Sequence, residues 1–198
     1  GGNSATDAPF TVAELERVID RPGIRGVQIG CWPNGTLQLA PEDDKVWAIL
    51  AERDIPLSIH VALGQSMPGA HRAKLPGYGR FFDAPNRMIE MIFDGVFDRF
   101  PRLRICLGHM GEAVHFWAWR LDFMSARAQG TEAPRLTLAP SEYFKRNFVI
   151  TTSGQESPLA LEFSVHLPKT TRYDPAPAIQ VLLRPMRMGA KGKWIKTG

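Results

Sequence analysis

The sequence contains few of the features that define several large classes of protein. Only two of its 198 residues are cysteine, Cys31 and Cys106, which excludes a disulfide-rich scaffold. No apolar run approaches the roughly 18 residues of a membrane-spanning helix, and no secretory signal opens the chain. GxGxxG, P-loop, GxSxG and paired CxxC motifs are absent, which leaves nucleotide binding, serine hydrolysis and a zinc ribbon without support. We therefore expect a cytoplasmic protein with two free thiols.

The positive charge of the chain is concentrated at its C-terminal end. The net charge is +4, but residues 169–198 hold seven basic residues and one acidic residue, a net charge of +6. The remaining 17 basic and 19 acidic residues give the rest of the chain a net charge of −2. A basic tail can contact nucleic acid or a membrane surface, but no binding motif with interleaved aromatic residues accompanies this charge. We therefore expect a solvated tail, with neither a specific nucleic-acid partner nor a membrane partner.

Apolar segments that fit short buried strands alternate with amphipathic segments that fit helices. Strands are predicted at residues 26–30, 57–61, 103–109 and 147–152. Helices are predicted after the capping box Thr11-Val12-Ala13-Glu14, after Pro41, after Pro85 as far as Phe100, at 111–127 and at 158–166. Such alternation indicates an α/β fold with parallel strands. It fits either a doubly wound open sheet or part of a (β/α)8 TIM barrel, which needs about 250 residues when complete.

The alternation of strands and helices ends near residue 167. Prolines follow at 168, 175, 177 and 185, and Val181-Leu182-Leu183 is the only apolar run beyond that point. We therefore predict a partial barrel domain over residues 1–167. Residues 168–198 are predicted to form an irregular or disordered basic tail.

Two histidines follow predicted strands. His60 and His109 each lie at or next to the C-terminal end of a strand, the edge at which both architectures build their sites. Neutral imidazole there suits a divalent ion such as zinc or manganese. The alternative is a pair of histidines held only by packing and backbone hydrogen bonds. The presence of two on one edge favours a site.

Three further side chains are candidates for the same site. Glu112, three residues after His109, can orient a histidine or a metal-bound water, or it can simply stabilise a helix N-terminus. Arg120 is able to hold a substrate carboxylate, or instead to pair with Asp122 or with a neighbouring helix. His71 lies in a loop rich in glycine and proline over residues 64–79, where it either lines a pocket or faces solvent.

Several segments, taken together, resemble one enzyme superfamily. They are residues 56–60, 93–105, 107–112, 116–122, 143–147 and 151–154. From about residue 23 to residue 161 the chain is similar to the amidohydrolase superfamily. The similarity is greatest to the amidohydrolase-2 branch, which includes aminocarboxymuconate-semialdehyde, gamma-resorcylate and 5-carboxyvanillate decarboxylases. Phe-Asp-Arg-Phe-Pro at 97–101 followed by Gly-His-Met-Gly-Glu at 108–112 is specific in combination.

The resemblance implies a metal-dependent barrel enzyme and a role for each candidate. His60 would be the metal ligand of the fifth strand, and His109 the catalytic histidine of the sixth, beside the metal-bound water or substrate. Glu112 would be catalytic, whereas Arg120 and the loop containing His71 would bind substrate.

Two parts of the family's metal site have no counterpart in this sequence. They are the His-x-His or Glu-x-His pair of the first strand and the Asp of the final strand. The chain thus resembles strands 4 to 7 of the barrel. We expect a truncated fragment whose site for zinc or manganese is incomplete.

The expected function is that of a metal-dependent decarboxylase-like lyase acting on a small carboxylated aromatic or unsaturated acid, because Glu112 favours that branch. A metal-dependent hydrolase of an ester, lactone or amide is the enzymatic alternative. The alternative of another class is an inactive truncated barrel, because a single predicted ligand holds a metal ion poorly. The unpaired strand edges of a partial barrel also predict a homo-oligomer.

Overall fold

The computed structural model describes residues 8–36, 38–60, 80–128 and 135–170, together with three short strands after them. One parallel sheet contains β1 (Val27–Ile29), β2 (Leu57–Ile59), β3 (Ile105–Leu107), β4 (Phe148–Thr151) and β5 (Gln180–Leu182). The strands lie in the sheet in their chain order, and every neighbouring pair is parallel. A doubly wound sheet reverses its strand order at a switch point, whereas the wall of a barrel keeps it sequential. This topology therefore supports the partial barrel.

Helices flank and connect the strands. They are α1 (Ala8–Ile19), α2 (Asp44–Glu52), α3 (Arg80–Phe93), α4 (Val96–Arg99), α5 (Val114–Arg127), α6 (Pro140–Asn147) and α7 (Pro158–Thr170). Short 3-10 turns occur at Pro41–Asp43 and His109–Gly111. Among the described helices, none combines the length and the apolar character that crossing a bilayer requires.

The core lies between the helices and one face of the sheet. In β2 and β3 the first and third residues are buried while the middle residue is half-buried, as expected for side chains that alternate across a sheet. Burial of each large apolar side chain contributes about 1.5–3 kcal/mol. The largest fully buried side chains outside the strands are Trp32, Trp47, Leu50, Met88, Met91, Ile92, Phe97, Leu103, Tyr143 and Phe144.

Two helix boundaries differ from the prediction. α1 begins at Ala8, so Thr11 lies inside the helix and the predicted capping box is wrong. Proline is favoured in the first turn of a helix, and Pro9 occupies that turn. The apolar stripe that predicts one helix up to Phe100 is divided between α3 and α4, because Gly95 adopts a left-handed backbone with φ of 71°.

The C-terminal segment contains more regular structure than its composition predicts. β5 extends the sheet beside β4, with Val181 opposite Ile150. β6 (Met186–Met188) and β7 (Trp194–Lys196) form an antiparallel pair. α7 also continues to Thr170, past the predicted boundary at residue 167. A three-residue strand has almost no sequence signal of its own, since an already formed edge supplies its hydrogen bonds.

Candidate active site

The sheet brings both predicted histidines to one edge. His60 directly follows β2, and its backbone N–H donates a hydrogen bond of 3.0 Å to the carbonyl of Ile29 at the end of β1. His109 stands two residues after β3, which pairs in parallel with β2. The carboxyl ends of neighbouring parallel strands meet at one edge, so His60 and His109 share that edge of the sheet. The His60 side chain is exposed there.

The imidazole of His109 is held in one orientation by the loop that follows β4. Its Nδ1 is hydrogen-bonded to the backbone carbonyl of Ser153. Because a carbonyl oxygen only accepts, Nδ1 carries the proton and Nε2 is the nitrogen left for chemistry. Nε2 lies 3.6 Å from Oε1 of Glu112. The unprotonated nitrogen of His109 therefore faces the carboxyl group of Glu112.

Gly154 makes room for this orientation. A Cβ at position 154 would lie 2.7 Å from Nδ1 and 3.0 Å from Cε1 of His109, closer than real Cβ contacts. Its φ of 72° also favours glycine. Sequence reasoning assigned no role to Ser153 or Gly154. The available signal was their position directly after the fourth predicted strand, at the same edge as the histidines.

The turn that carries His109 and Glu112 has an unusual backbone. Five consecutive residues have positive φ: His109 at 53°, Met110 at 56°, Gly111 at 79°, Glu112 at 46° and Ala113 at 62°. Left-handed backbone costs a residue other than glycine about 1–2 kcal/mol. Such strain persists only where the surrounding structure holds it, and it is concentrated at functional sites. Met110 is buried and contributes to holding the turn.

Glu112 is the more deeply placed member of the pair. Its side chain is 10% exposed, compared with 38% for His109. Burial raises the pKa of the Glu112 carboxyl, and a positive charge on His109 acts in the opposite direction. A carboxyl with a raised pKa retains its proton at higher pH, which suits a group that donates and recovers protons.

The buried side chain of His115 packs against Gly111 in the same turn. Ser164 donates its hydroxyl proton to the carbonyl of Ala160 at 2.7 Å, so its oxygen accepts from Nε2–H of His115 at 3.0 Å. Nδ1 of His115 is therefore unprotonated, and no residue in the described part of the chain forms a hydrogen bond with it. It faces Gly111, where a Cβ would come within 3.1 Å of it. Burial lowers the pKa of His115 to about 4, which keeps this imidazole neutral.

Of the two remaining candidates, Arg120 alone lies within the described residues, and it is directed toward another side chain of its own helix. Arg120 is exposed on α5, with its guanidinium 6.0 Å from the ring centroid of Phe123. The alternative partner Asp122 accepts hydrogen bonds from the backbone and hydroxyl of Ser141 instead. His71 lies outside the described residues. Within the described ranges, no three His, Cys, Asp or Glu side chains are grouped closely enough to hold a metal ion.

These features define a class: part of a parallel (β/α)8 barrel with a histidine–carboxylate pair at the carboxyl edge of its strands. The chain belongs to the amidohydrolase family whose model, Amidohydro_2, matches residues 3–178. The resemblance noted in the sequence is thereby confirmed.

Two curated relatives are decarboxylases. Decarboxylase orsB of Emericella nidulans is 30% identical over 177 residues, which cover 84% of this chain and 53% of that protein. A gamma-resorcylate decarboxylase of Rhodococcus jostii is 39% identical over 166 residues, which cover 75% of this chain and 49% of that protein. The chain thus spans about half the length of these relatives.

Solved structures of 5-carboxyvanillate decarboxylases share the fold. LigW from Sphingomonas paucimobilis superposes with a TM-score of 0.71 at 35% identity, covering 91% of this chain and 52% of that one. The enzyme from Novosphingobium aromaticivorans, in complex with manganese and 4-hydroxy-3-methoxy-5-nitrobenzoic acid, gives a TM-score of 0.73 at 28% identity. That match covers 84% of this chain and 50% of that one.

Proposed function

We propose that this chain carries the proton-transfer half of a metal-dependent decarboxylase that acts on carboxylated aromatic or unsaturated acids. The observation that carries the proposal is the 3.6 Å approach of His109 Nε2 to the half-buried carboxyl group of Glu112. The proposal is consistent with membership of the amidohydrolase family and with the relatives that are decarboxylases. The site residues predicted from the sequence keep their roles in this proposal, with His109 and Glu112 catalytic and Arg120 and His71 binding substrate.

The geometry suggests how the pair would act. Loss of carbon dioxide from an aromatic acid breaks the bond between the ring and its carboxylate and forms a carbon–hydrogen bond at the same ring carbon. An acid must therefore deliver a proton to that carbon. Ser153 fixes His109 with Nε2 outward, and Glu112 supplies a neighbouring carboxyl whose raised pKa favours its protonated form. In this scheme the Glu112 carboxyl protonates Nε2 of His109, the imidazolium passes that proton to the ring carbon as carbon dioxide leaves, and Glu112 takes a replacement proton from solvent.

A divalent metal, zinc or manganese, would serve the complete site by binding the substrate's carboxylate and an adjacent oxygen. The manganese complex of the Novosphingobium relative supports this part of the proposal. The described residues do not make a closed metal site, since His60 is their one candidate ligand and is exposed. We therefore expect this chain alone to bind zinc or manganese weakly.

Two alternatives retain specific support. A hydrolase of esters, lactones or amides would use the same edge of the barrel, and it would release an acid rather than carbon dioxide. An inactive fragment is favoured by the fact that the chain spans about half of its relatives. We further propose a cytoplasmic location, which suits the absence of a disulfide at Cys31 and Cys106, and assembly as a homo-oligomer.

The test is carbon dioxide release from 2,6-dihydroxybenzoate and 5-carboxyvanillate in the presence of manganese. We expect slow turnover by the chain, and a fall of at least about 100-fold in His109→Ala, because a positioned acid–base group contributes that much. Lys45→Ala, an exposed change on α2, is the matched control and should keep the original rate.

Three results would contradict the proposal. Turnover that survives in His109→Ala would remove this residue from the site. Acid release from lactones without carbon dioxide release would indicate the hydrolase. A folded chain with no turnover on any substrate would indicate the inactive fragment.

A further inference from the structure

The sheet has a second face, on the side away from the core, and we call it the inner face. Its side chains in β2, β3 and β4 are Ser58, Cys106, Val149 and Thr151, and each of them is half-buried. His60 follows Ser58 by two residues, and its backbone is still hydrogen-bonded to β1. Since side chains two residues apart along a strand lie on the same side, His60 also belongs to the inner face.

The register of the strands places Gly108 between His60 and Thr151. Continued by two residues, the pairing of β2 with β3 aligns position 60 with position 108. Continued by one residue, the pairing of β3 with β4 aligns position 108 with position 151. Neighbouring strands are about 4.8 Å apart, so the backbones of His60 and Thr151 are separated by roughly 10 Å. The absence of a side chain at Gly108 therefore leaves a gap between these two side chains.

No described residue accounts for the glycine at position 108. Its backbone is extended, with φ of −73° and ψ of 178°, a conformation that every residue adopts. A Cβ at this position would meet no described atom within 4 Å. Gly111 and Gly154, at the same edge, differ because they have positive φ and a Cβ on them would press against His115 or His109. The space over Gly108 is thus available to another molecule.

This space adjoins the histidine–carboxylate pair. Gly108 directly precedes His109, and its carbonyl accepts a hydrogen bond of 2.8 Å from the N–H of Gly111. That bond ties the backbone of Gly108 to the turn that carries His109 and Glu112. A molecule held over position 108 therefore lies next to the proposed proton donor.

The borders of the gap suit a planar ring with oxygen substituents. Rings pack at about 4.5–7 Å from the centroids of their neighbours, so a gap of roughly 10 Å holds one ring and leaves no space for a side chain at position 108. The hydroxyl of Thr151 donates or accepts a hydrogen bond, as a phenolic oxygen requires, and the imidazole of His60 offers a nitrogen on the other side. A puckered, saturated ring is thicker and fits this gap less well.

We propose that Gly108 is a specificity-determining residue, and that the planar ring of an aromatic acid rests on its extended backbone between His60 and Thr151. This inference rests on the proposed function and narrows its substrate class to planar aromatic acids. It assigns a position to the ring of the substrate, whereas the proposed function concerns the proton that the ring receives.

Nuclear magnetic resonance of the full chain labelled with [15N]glycine tests the contact. The chain has 18 glycines, and the Gly108 amide signal is the one that disappears in Gly108→Ala. With zinc present, 2,6-dihydroxybenzoate should shift the Gly108 signal with a saturating dependence on its concentration. Cyclohexanecarboxylate, which has the same carboxylate on a puckered ring, should leave that signal unchanged at equal concentrations.

Filling the gap should weaken binding. In Gly108→Leu the dissociation constant of 2,6-dihydroxybenzoate should rise at least about 10-fold, because the added side chain occupies the space of the ring. Ala48→Leu is the matched control, since it adds apolar bulk at an exposed position on α2, and its dissociation constant should equal that of the unaltered chain.

Thermal unfolding separates this role from a structural one. Gly108→Ala should raise the midpoint by about 1–4 °C, because alanine in an extended backbone restricts the unfolded chain more than glycine does. Gly154→Ala should lower the midpoint instead, since its Cβ would lie 2.7 Å from Nδ1 of His109. A midpoint lowered by Gly108→Ala would show that the fold itself requires this glycine, and would overturn the inference.

The binding data separate failure of the inference from failure of the proposed function. Equal dissociation constants in Gly108→Leu and the unaltered chain, or equal shifts with cyclohexanecarboxylate, would overturn the inference and leave the proposed function standing. If the unaltered chain bound no aromatic acid, the proposed function would fail and the inference would fail with it.

Discussion

At the scale of single residues, the histidines of this chain have very different surroundings. His60 is exposed after its strand, and His109 is held by a backbone carbonyl beside a carboxylate. His115 is 5% exposed and stacks on Phe144 with an angle of 6° between the rings. Position after a strand sufficed to identify His60 and His109. The surroundings of His115 depend on Ser164, which is 49 residues away in sequence, and no local pattern reports such a contact.

The neutral state of His115 predicts a dependence of stability on pH. Its pKa is about 4 in the folded chain and about 6.5 when exposed, so the unfolded chain binds more protons between those values. The stabilisation is therefore fully present above pH 6.5 and is lost as the pH falls toward 4. We expect the free energy of unfolding to fall by about 2 kcal/mol between pH 7.5 and pH 5 because of this residue.

Urea unfolding at several pH values measures this effect. In His115→Phe the contribution should disappear, which flattens the decrease by about 2 kcal/mol. Ser164→Ala is the control, because it removes the hydrogen-bond acceptor but leaves the imidazole buried, so the decrease should remain. An unchanged slope in His115→Phe would show that His115 titrates freely in the folded chain.

At the scale of secondary-structure elements, a buried ion pair fixes α3 against the loop after β1. The side chains of Asp83 and Arg87, one turn apart on α3, are 1% and 4% exposed, and Arg87 Nε lies 3.8 Å from Asp83 Oδ2. Among the described residues, neither side chain has a hydrogen-bond partner at this distance. The Arg87 guanidinium lies 4.9 Å from the ring centroid of Trp32, in the loop after β1. Burial also raises the pKa of Asp83, a sign of its poor solvation.

Removing one member of the Asp83–Arg87 pair should lower the free energy of unfolding more than replacing both members with apolar residues. Arg87→Met leaves a buried carboxyl without its partner and should cost about 3 kcal/mol of unfolding free energy at pH 7.5. The double variant Asp83→Leu/Arg87→Met removes both charges and should lie within about 1 kcal/mol of the original chain, or above it. Urea unfolding midpoints compare the two. Equal losses in the single and double variants would show that the pair has no energetic coupling.

Some strands and helix boundaries of this chain can be predicted from its sequence, and others cannot. The four strands over the first 167 residues were predictable, because each apolar run has a glycine or proline close to at least one end and contributes alternate side chains to the core. The division between α3 and α4 at Gly95 was not predictable, because the apolar stripe continues across Gly95 at helical spacing. β5 was not predictable either, since its three residues depend on the β4 edge for their hydrogen bonds.

At the scale of the whole molecule, the chain is a wall of five parallel strands whose carboxyl edge carries His60, His109 and the loop of Ser153. Parallel pairing of neighbouring strands brings these residues to the same edge, which is the general advantage of this architecture. We propose that the imidazoles of His60 and His109 converge there closely enough to sense one cation.

Paramagnetic broadening of imidazole resonances by Mn²⁺ tests that claim directly, even in a chain with little turnover. At low Mn²⁺ concentrations, the account predicts that the signals of His60 and His109 lose intensity together, while the signal of the buried His115 is retained longer. Residue assignments come from His60→Gln and His109→Gln. Broadening of only one of the two signals, or of neither before His115, would contradict a shared cation site at this edge.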